Sequence, residues 1–209
     1  MFAPLEDGGC EVRFPGGKSV RLAPLTDAEL AMSSTAGDDG LWLPMLEKAF
    51  ATVRNESRPA EKRKDVPTDL IARGGAAGPC IELLTGKRAK SLAVRRKSER
   101  DREPDDERIR EVLPQLREAI KAAVKDRRLI CCGTPKEVAT PGIAGKHMYA
   151  VLGYDEEKDL VDVWNPWGNS FKPKGDSGLK NGYRTKGGRF SVPLDDFVRV
   201  FGGITFECE

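Results

Sequence analysis

Past residue 128 the chain changes texture, and this change limits the fold more than any other feature. Segments 128–133, 148–153 and 160–164 are short runs rich in Val, Leu, Ile, Tyr and Cys, and each reads as a strand. Phe190-Ser191-Val192 adds a short strand, 194–201 a turn or two of helix, and 203–207 a closing strand. Ahead of them the spacing is helical. Apolar residues at 42, 43, 46, 49, 50 and 53 share one stripe, with Pro44 tolerated only in the first turn. Cys80 to Thr85 reads as a short helix stopped at Gly86. Ile109, Val112, Leu113, Leu116, Ile120 and Val124 form a second stripe, in which Pro114 must kink the helix or open its second half. Strands gathered behind a helical run predict an α+β fold with an antiparallel sheet.

The N-terminal stretch from Cys10 to Leu22 alternates apolar and polar residues around Pro15-Gly16-Gly17-Lys18 and predicts a β-hairpin. The chain reads as one unit: hairpin and loop over 1–40, a helical part over 41–128 with a charged insertion at 87–108, and a sheet part over 129–209. A length of 209 residues at 39% hydrophobic supports one compact domain or two small lobes. Net charge is only +2, which argues against a basic nucleic-acid scaffold. Segment 87–128 holds 15 basic and 9 acidic residues. Without interleaved aromatics it reads as a solvated helix face rather than a phosphate-binding one. No nucleic-acid partner is expected. No run approaches a membrane span and no secretory leader is visible, so neither a membrane partner nor secretion is expected. The five cysteines are irregularly placed, two of them adjacent (Cys131, Cys132). They predict no disulfide framework and a reducing, cytoplasmic setting.

His147 is the single histidine, which removes every multi-histidine metal site and concentrates any near-neutral acid–base chemistry on one ring. It precedes the strand at 148–153, and Asn165 follows the strand at 160–164. With a turn centred on Glu156, His147 falls directly opposite Asn165 and on the same face. The pair is then close enough for the amide oxygen to accept a hydrogen bond from the imidazole. A slip of two residues makes them diagonal neighbours, whereas a slip of one separates them. Asn165-Pro166-Trp167-Gly168 is a rigid turn whose indole, Trp167, could shield that bond from water. A histidine oriented by an asparagine is the base half of a Cys–His–Asn constellation. The plainer alternative is a strand histidine satisfied by a neighbour.

These residues resemble the calpain family of cysteine proteases. Trp42 with Leu46-Glu47-Lys48-Ala49-Phe50-Ala51, Gly74-Gly75 with Ile81-Glu82-Leu83-Leu84-Thr85-Gly86, and Gly145-Lys146-His147-Met148-Tyr149-Ala150-Val151 are similar to successive landmarks of that family. Asn165-Pro166-Trp167-Gly168 and 190–197 complete the series in the same order. The resemblance implies a papain-like fold and, for this chain, its C-terminal half: an antiparallel sheet or half-barrel flanked by helices. It implies proteolysis by a cysteine nucleophile on a protein or peptide substrate, and calcium dependence in animal members. His147 would be the general base, Asn165 its orienter and Trp167 their cover. The family's nucleophile motif, Gly-Asp-Cys-Trp-like with an upstream glutamine, does not occur in this sequence. Cys10, Cys80, Cys131, Cys132 and Cys208 all lack its flanking pattern. An upstream lobe or separate chain carrying the cysteine is therefore expected as partner. The alternatives are a degenerate module that binds peptides without cleaving them, or a transglutaminase-like amidase using a cysteine of this chain. No cofactor is predicted from the residues. Calcium follows only from the resemblance, since 169–188 offers Asp176 as its one acid.

Overall fold

The computed structural model describes residues 1–34, 37–72, 74–96 and 102–208. Residues 97–101 of the charged insertion lie outside that set. The chain divides into two compact units, Met1–Lys87 and Arg88–Glu209; the boundary falls at the start of the expected charged insertion.

In the first unit, β1 (Phe2–Pro4), β2 (Cys10–Arg13) and β3 (Ser19–Leu22) form an antiparallel sheet in that order. The expected hairpin is β2–β3, with Gly17 in its turn at φ +81°; β1 was not anticipated. Period-2 alternation turns Cys10, Val12, Val20 and Leu22 inward, where they pack with Phe14 and with Ala49 and Val53 of α2 (Trp42–Glu56). In chain order α1 (Asp27–Met32) follows β3, opened by a Thr26–Glu29 capping box. Helix α3 (Ala77–Thr85) ends at Gly86, φ +75°, where a Cβ would sit 2.7 Å from the Pro15 carbonyl oxygen. Only glycine fits there.

The second unit is an antiparallel sheet of six strands, β4 (Ala89–Ala93), β5 (Ile130–Gly133), β6 (Met148–Asp155), β7 (Leu160–Trp164), β8 (Arg189–Pro193) and β9 (Gly203–Glu207), ordered β4-β9-β5-β6-β7-β8. Alternation sends Ile130, Cys132, Tyr149, Val151, Val161, Val163, Phe190, Val192, Ile204 and Phe206 to the buried face. Helix α4 (Asp106–Lys125) adds Ile109, Val112, Leu116 and Ile120 to this core, and α5 (Leu194–Val200) adds Leu194, Phe197 and Val198. Each such side chain contributes about 2 kcal/mol by leaving water. The architecture is α+β with an antiparallel sheet, as the hydrophobic patterning predicts. Pro114 does not open a second helix, because α4 runs through it as one element. No helix among the described residues is long and apolar enough to cross a membrane.

Candidate active site

His147 sits at the mouth of β6, where the β5–β6 ladder continues one bond beyond the strands: the Thr134 N–H donates to the His147 carbonyl at 2.9 Å. The Thr134 hydroxyl then accepts the His147 N–H at 3.0 Å and donates to the Ala144 carbonyl at 2.8 Å. Lys146 just before it adopts φ +48°, and a Cβ on Gly145 would lie 2.3 Å from the Lys136 carbonyl oxygen. The backbone that presents the imidazole is thus fixed on both sides.

Register decides which face the ring takes. Near the turn Asp155 pairs with Leu160 and Gly153 with Asp162, whereas beyond it Val151 pairs with Val163 and Ala150 with Trp164. Leu152 is the extra residue of a β-bulge. Continued outward, this register sets Tyr149 beside Asn165, so His147 and Asn165 are diagonal neighbours on one face. The turn occupies 156–159, not a span centred on Glu156, and the pair is not directly opposed as expected. Carried through unbulged, the register near the turn would have put the two residues on opposite faces.

The diagonal is closed by side chains. His147 Nε2 lies 2.8 Å from Asn165 Oδ1. Asn165 is 2% exposed, and its N–H donates to the Gly188 carbonyl at 2.8 Å. Its Oδ1 also accepts the Trp167 N–H at 3.1 Å, while its Nδ2 donates to Asn169 Oδ1 at 2.9 Å. A backbone N–H can only donate, so the amide orientation is determined: Oδ1 faces the imidazole and Nε2 carries the proton. Nδ1 is left with the lone pair of a base. The Trp167 indole lies over the imidazole, ring centroids 3.9 Å apart at 32°, and the residue as a whole is 68% exposed. Tyr149 meets the same ring edge-on at 4.9 Å, and its hydroxyl accepts the Ala144 N–H at 2.9 Å. Burial pushes the Tyr149 phenol above its ordinary value, keeping it neutral.

Structure thus brings His147, Asn165 and Trp167 together. Sequence reading missed Thr134, Tyr149, Asn169 and Gly188. Tyr149 carries a readable signal, being two residues along the strand from His147 and so on its face. Thr134 and Gly188 depend on pairings with other strands.

A cysteine nucleophile is favoured by a depressed thiol pKa. Cys132 lies diagonally across from His147 in the β5–β6 register, but it is fully buried and burial pushes its thiol well above the ordinary value. Burial also raises Cys80. Cys10 is buried on β2, Cys131 is half-buried on β5 and Cys208 follows β9. Among the described residues no three His, Cys, Asp or Glu side chains converge on a point that could hold a metal.

An imidazole oriented by a buried carboxamide and covered by an indole, on an antiparallel α+β scaffold, has the form of a thiol protease's base. The family model of the calpain family cysteine proteases matches residues 21–178, three quarters of the chain and both landmarks of this site. The chain belongs to that family. No curated protein matches it.

Proposed function

We propose that this chain supplies the base half of a calpain-like cysteine endopeptidase, with His147 as general base and Asn165 as its orienter. The carrying observation is the 2.8 Å Nε2–Oδ1 bond to an amide whose orientation is set by the Trp167 N–H. In this reading Nδ1 takes the proton of a cysteine thiol, and the thiolate sulfur attacks the substrate carbonyl carbon. As the C–N bond breaks, the imidazolium returns the proton to the departing amine. A water deprotonated by the same nitrogen then releases the acyl group and regenerates the thiol. Asn165 holds the ring so that Nδ1 stays the basic nitrogen through both steps, and Trp167 keeps water off the Nε2–H bond. In this reading the thiol comes from residues other than the five cysteines of this sequence, Cys132 being fully buried and the thiols of Cys132 and Cys80 pushed up by burial.

The test is cleavage of an unfolded protein substrate by the chain alone and together with a segment carrying a calpain-type cysteine. The chain alone is expected to be inert. The combination should cleave, with activity abolished by His147→Ala and lowered roughly 100-fold by Asn165→Ala. Iodoacetamide-sensitive cleavage by the chain alone would assign the nucleophile to one of its own cysteines. Inertness in the combination, with the folds intact, would leave a peptide-binding module that does not cleave.

A further inference from the structure

Segment 169–188, which joins β7 to β8, carries Lys172, Lys174, Lys180, Arg184 and Lys186 against one acid, Asp176. The chain as a whole nets +2, so this one excursion outweighs the rest. Its shape gathers the charge. Phe171 and Thr185 exchange both backbone hydrogen bonds, at 3.0 and 2.9 Å, in an antiparallel bridge. Their side chains turn inward with buried Tyr183, so the neighbouring pair, Lys172 and Arg184, turns outward. Alternation continues the pattern: Lys172, Lys174, Arg184 and Lys186 are all exposed, while Phe171, Pro173, Tyr183 and Thr185 are wholly or partly buried. Two like charges directly across a ribbon are destabilising, and no acid offsets them: among the described residues none of the four cations forms an ion pair.

The ribbon grows out of the site itself. Asn169, at its base, accepts the Asn165 amide, and the Gly188 N–H at its other base donates to the Asn169 carbonyl at 2.7 Å. Lys172 is three residues from Asn169 and Lys186 two from Gly188, at most about 10 Å and 7 Å of extended chain. A local cation surface with no internal counter-charge focuses field on whatever approaches the imidazole. We propose that this ribbon docks an acidic stretch of polypeptide, Glu- or Asp-rich, alongside His147. Two observations favour polypeptide. The aromatic rings of the ribbon, Phe171 and Tyr183, are turned inward, so no stacking platform for bases is presented. Its outward face also carries no apolar anchor for a bilayer. The proposal deepens the protease reading, from which it takes only the choice of a polypeptide. Its readout is binding, so it stands or falls apart from cleavage.

Fluorescence anisotropy of the full chain with a labelled Glu-Ser repeat peptide, against a Gln-Ser repeat of equal length, tests it. The acidic peptide should bind at least about tenfold more tightly and lose affinity steeply between about 50 and 200 mM salt. Lys172→Glu with Lys186→Glu should weaken it at least about tenfold, and Lys172→Gln with Lys186→Gln by an intermediate factor, with no fall in melting temperature. Arg110→Glu with Lys125→Glu on α4 changes net charge equally and should cost less than about threefold. Equal binding of the two peptides, or equal loss in both charge-reversed variants, overturns the proposal. So does tighter competition, at equal charge, by oligothymidylate or by phosphatidylserine vesicles, which would assign the surface to nucleic acid or lipid.

Discussion

A methyl group on Gly188 would come within 2.1 Å of the Asn165 carbonyl oxygen, at a backbone φ of +81°. Its neighbour Gly187 is also left-handed, φ +55°, but a Cβ there meets nothing within 4 Å. The two therefore separate backbone strain from collision. Gly187→Ala should cost about 1 kcal/mol. Gly188→Ala should cost about 3 kcal/mol and displace Asn165, read as a changed ¹⁵N shift of the one histidine alongside denaturant midpoints. Asp159 makes a second residue-scale test. The Arg117 guanidinium, at 2.6 and 3.2 Å, holds its carboxyl below the ordinary 3.8. A depressed carboxylate contributes stability above its unfolded pKa and loses it as pH falls through the folded value. Asp159→Asn tolerates the same φ of +53° and should lower stability at pH 7 by about 0.5 kcal/mol, discounted for exposure. The difference should vanish near pH 2; equal urea midpoint gaps at both pH values would trace the loss to the backbone. At this scale the sequence was legible where chemistry is rare or local: a lone histidine, and an asparagine in a four-residue turn. Thr134 was not legible, since its hydroxyl matters only because β5 pairs with β6.

Among the elements, hydrophobic period exposed every helix and strand whose burial pattern is strong, from α2 through β9. Segments whose order comes from partners stayed hidden. In β4, Ala-Lys-Ser-Leu-Ala has one large apolar residue, and its strand exists because it pairs with β9 at the far end of the chain. The Leu152 bulge left no local mark either, although it determines which side of the sheet His147 occupies. Deleting Leu152 should convert the hairpin to a regular ladder that keeps both flanking sets of pairs, changing stability by about 1 kcal/mol or less and leaving the histidine ¹⁵N shifts in place. Deleting Ala150 as well as Leu152 should turn Tyr149 and His147 to the opposite face, abolishing the Nε2–H signature and exposing Tyr149, now 1% accessible. Pro114 lies exposed inside α4, depriving the Arg110 carbonyl of a helical donor. Pro114→Ala removes no packing and should stabilise by about 2 kcal/mol, raising the melting temperature by roughly 4–8 °C.

On the scale of the whole molecule the two cores are unequal. Among the described residues the larger cluster draws its 22 buried members from between Val94 and Phe206, and every strand of its sheet lies within the same unit. The smaller cluster has seven buried members among the described residues, all between Cys10 and Val53, beneath a sheet of three short strands. A unit of about 120 residues buries enough surface to fold alone, whereas one of under 90 resting on so few buried side chains is marginal. The imidazole, its carboxamide, the indole and the cationic ribbon all belong to the larger unit. A fragment spanning 88–209 should therefore unfold in one cooperative transition and show the same ¹⁵N shifts for its histidine as the full chain. The hydrogen bonds that set the Nε2–H tautomer, among His147, Asn165, Trp167 and Asn169, lie within this unit. A fragment with native-like circular dichroism but averaged imidazole shifts would show that the ring's orientation depends on residues 1–87. The base half of the site could not then be assigned to this sheet alone.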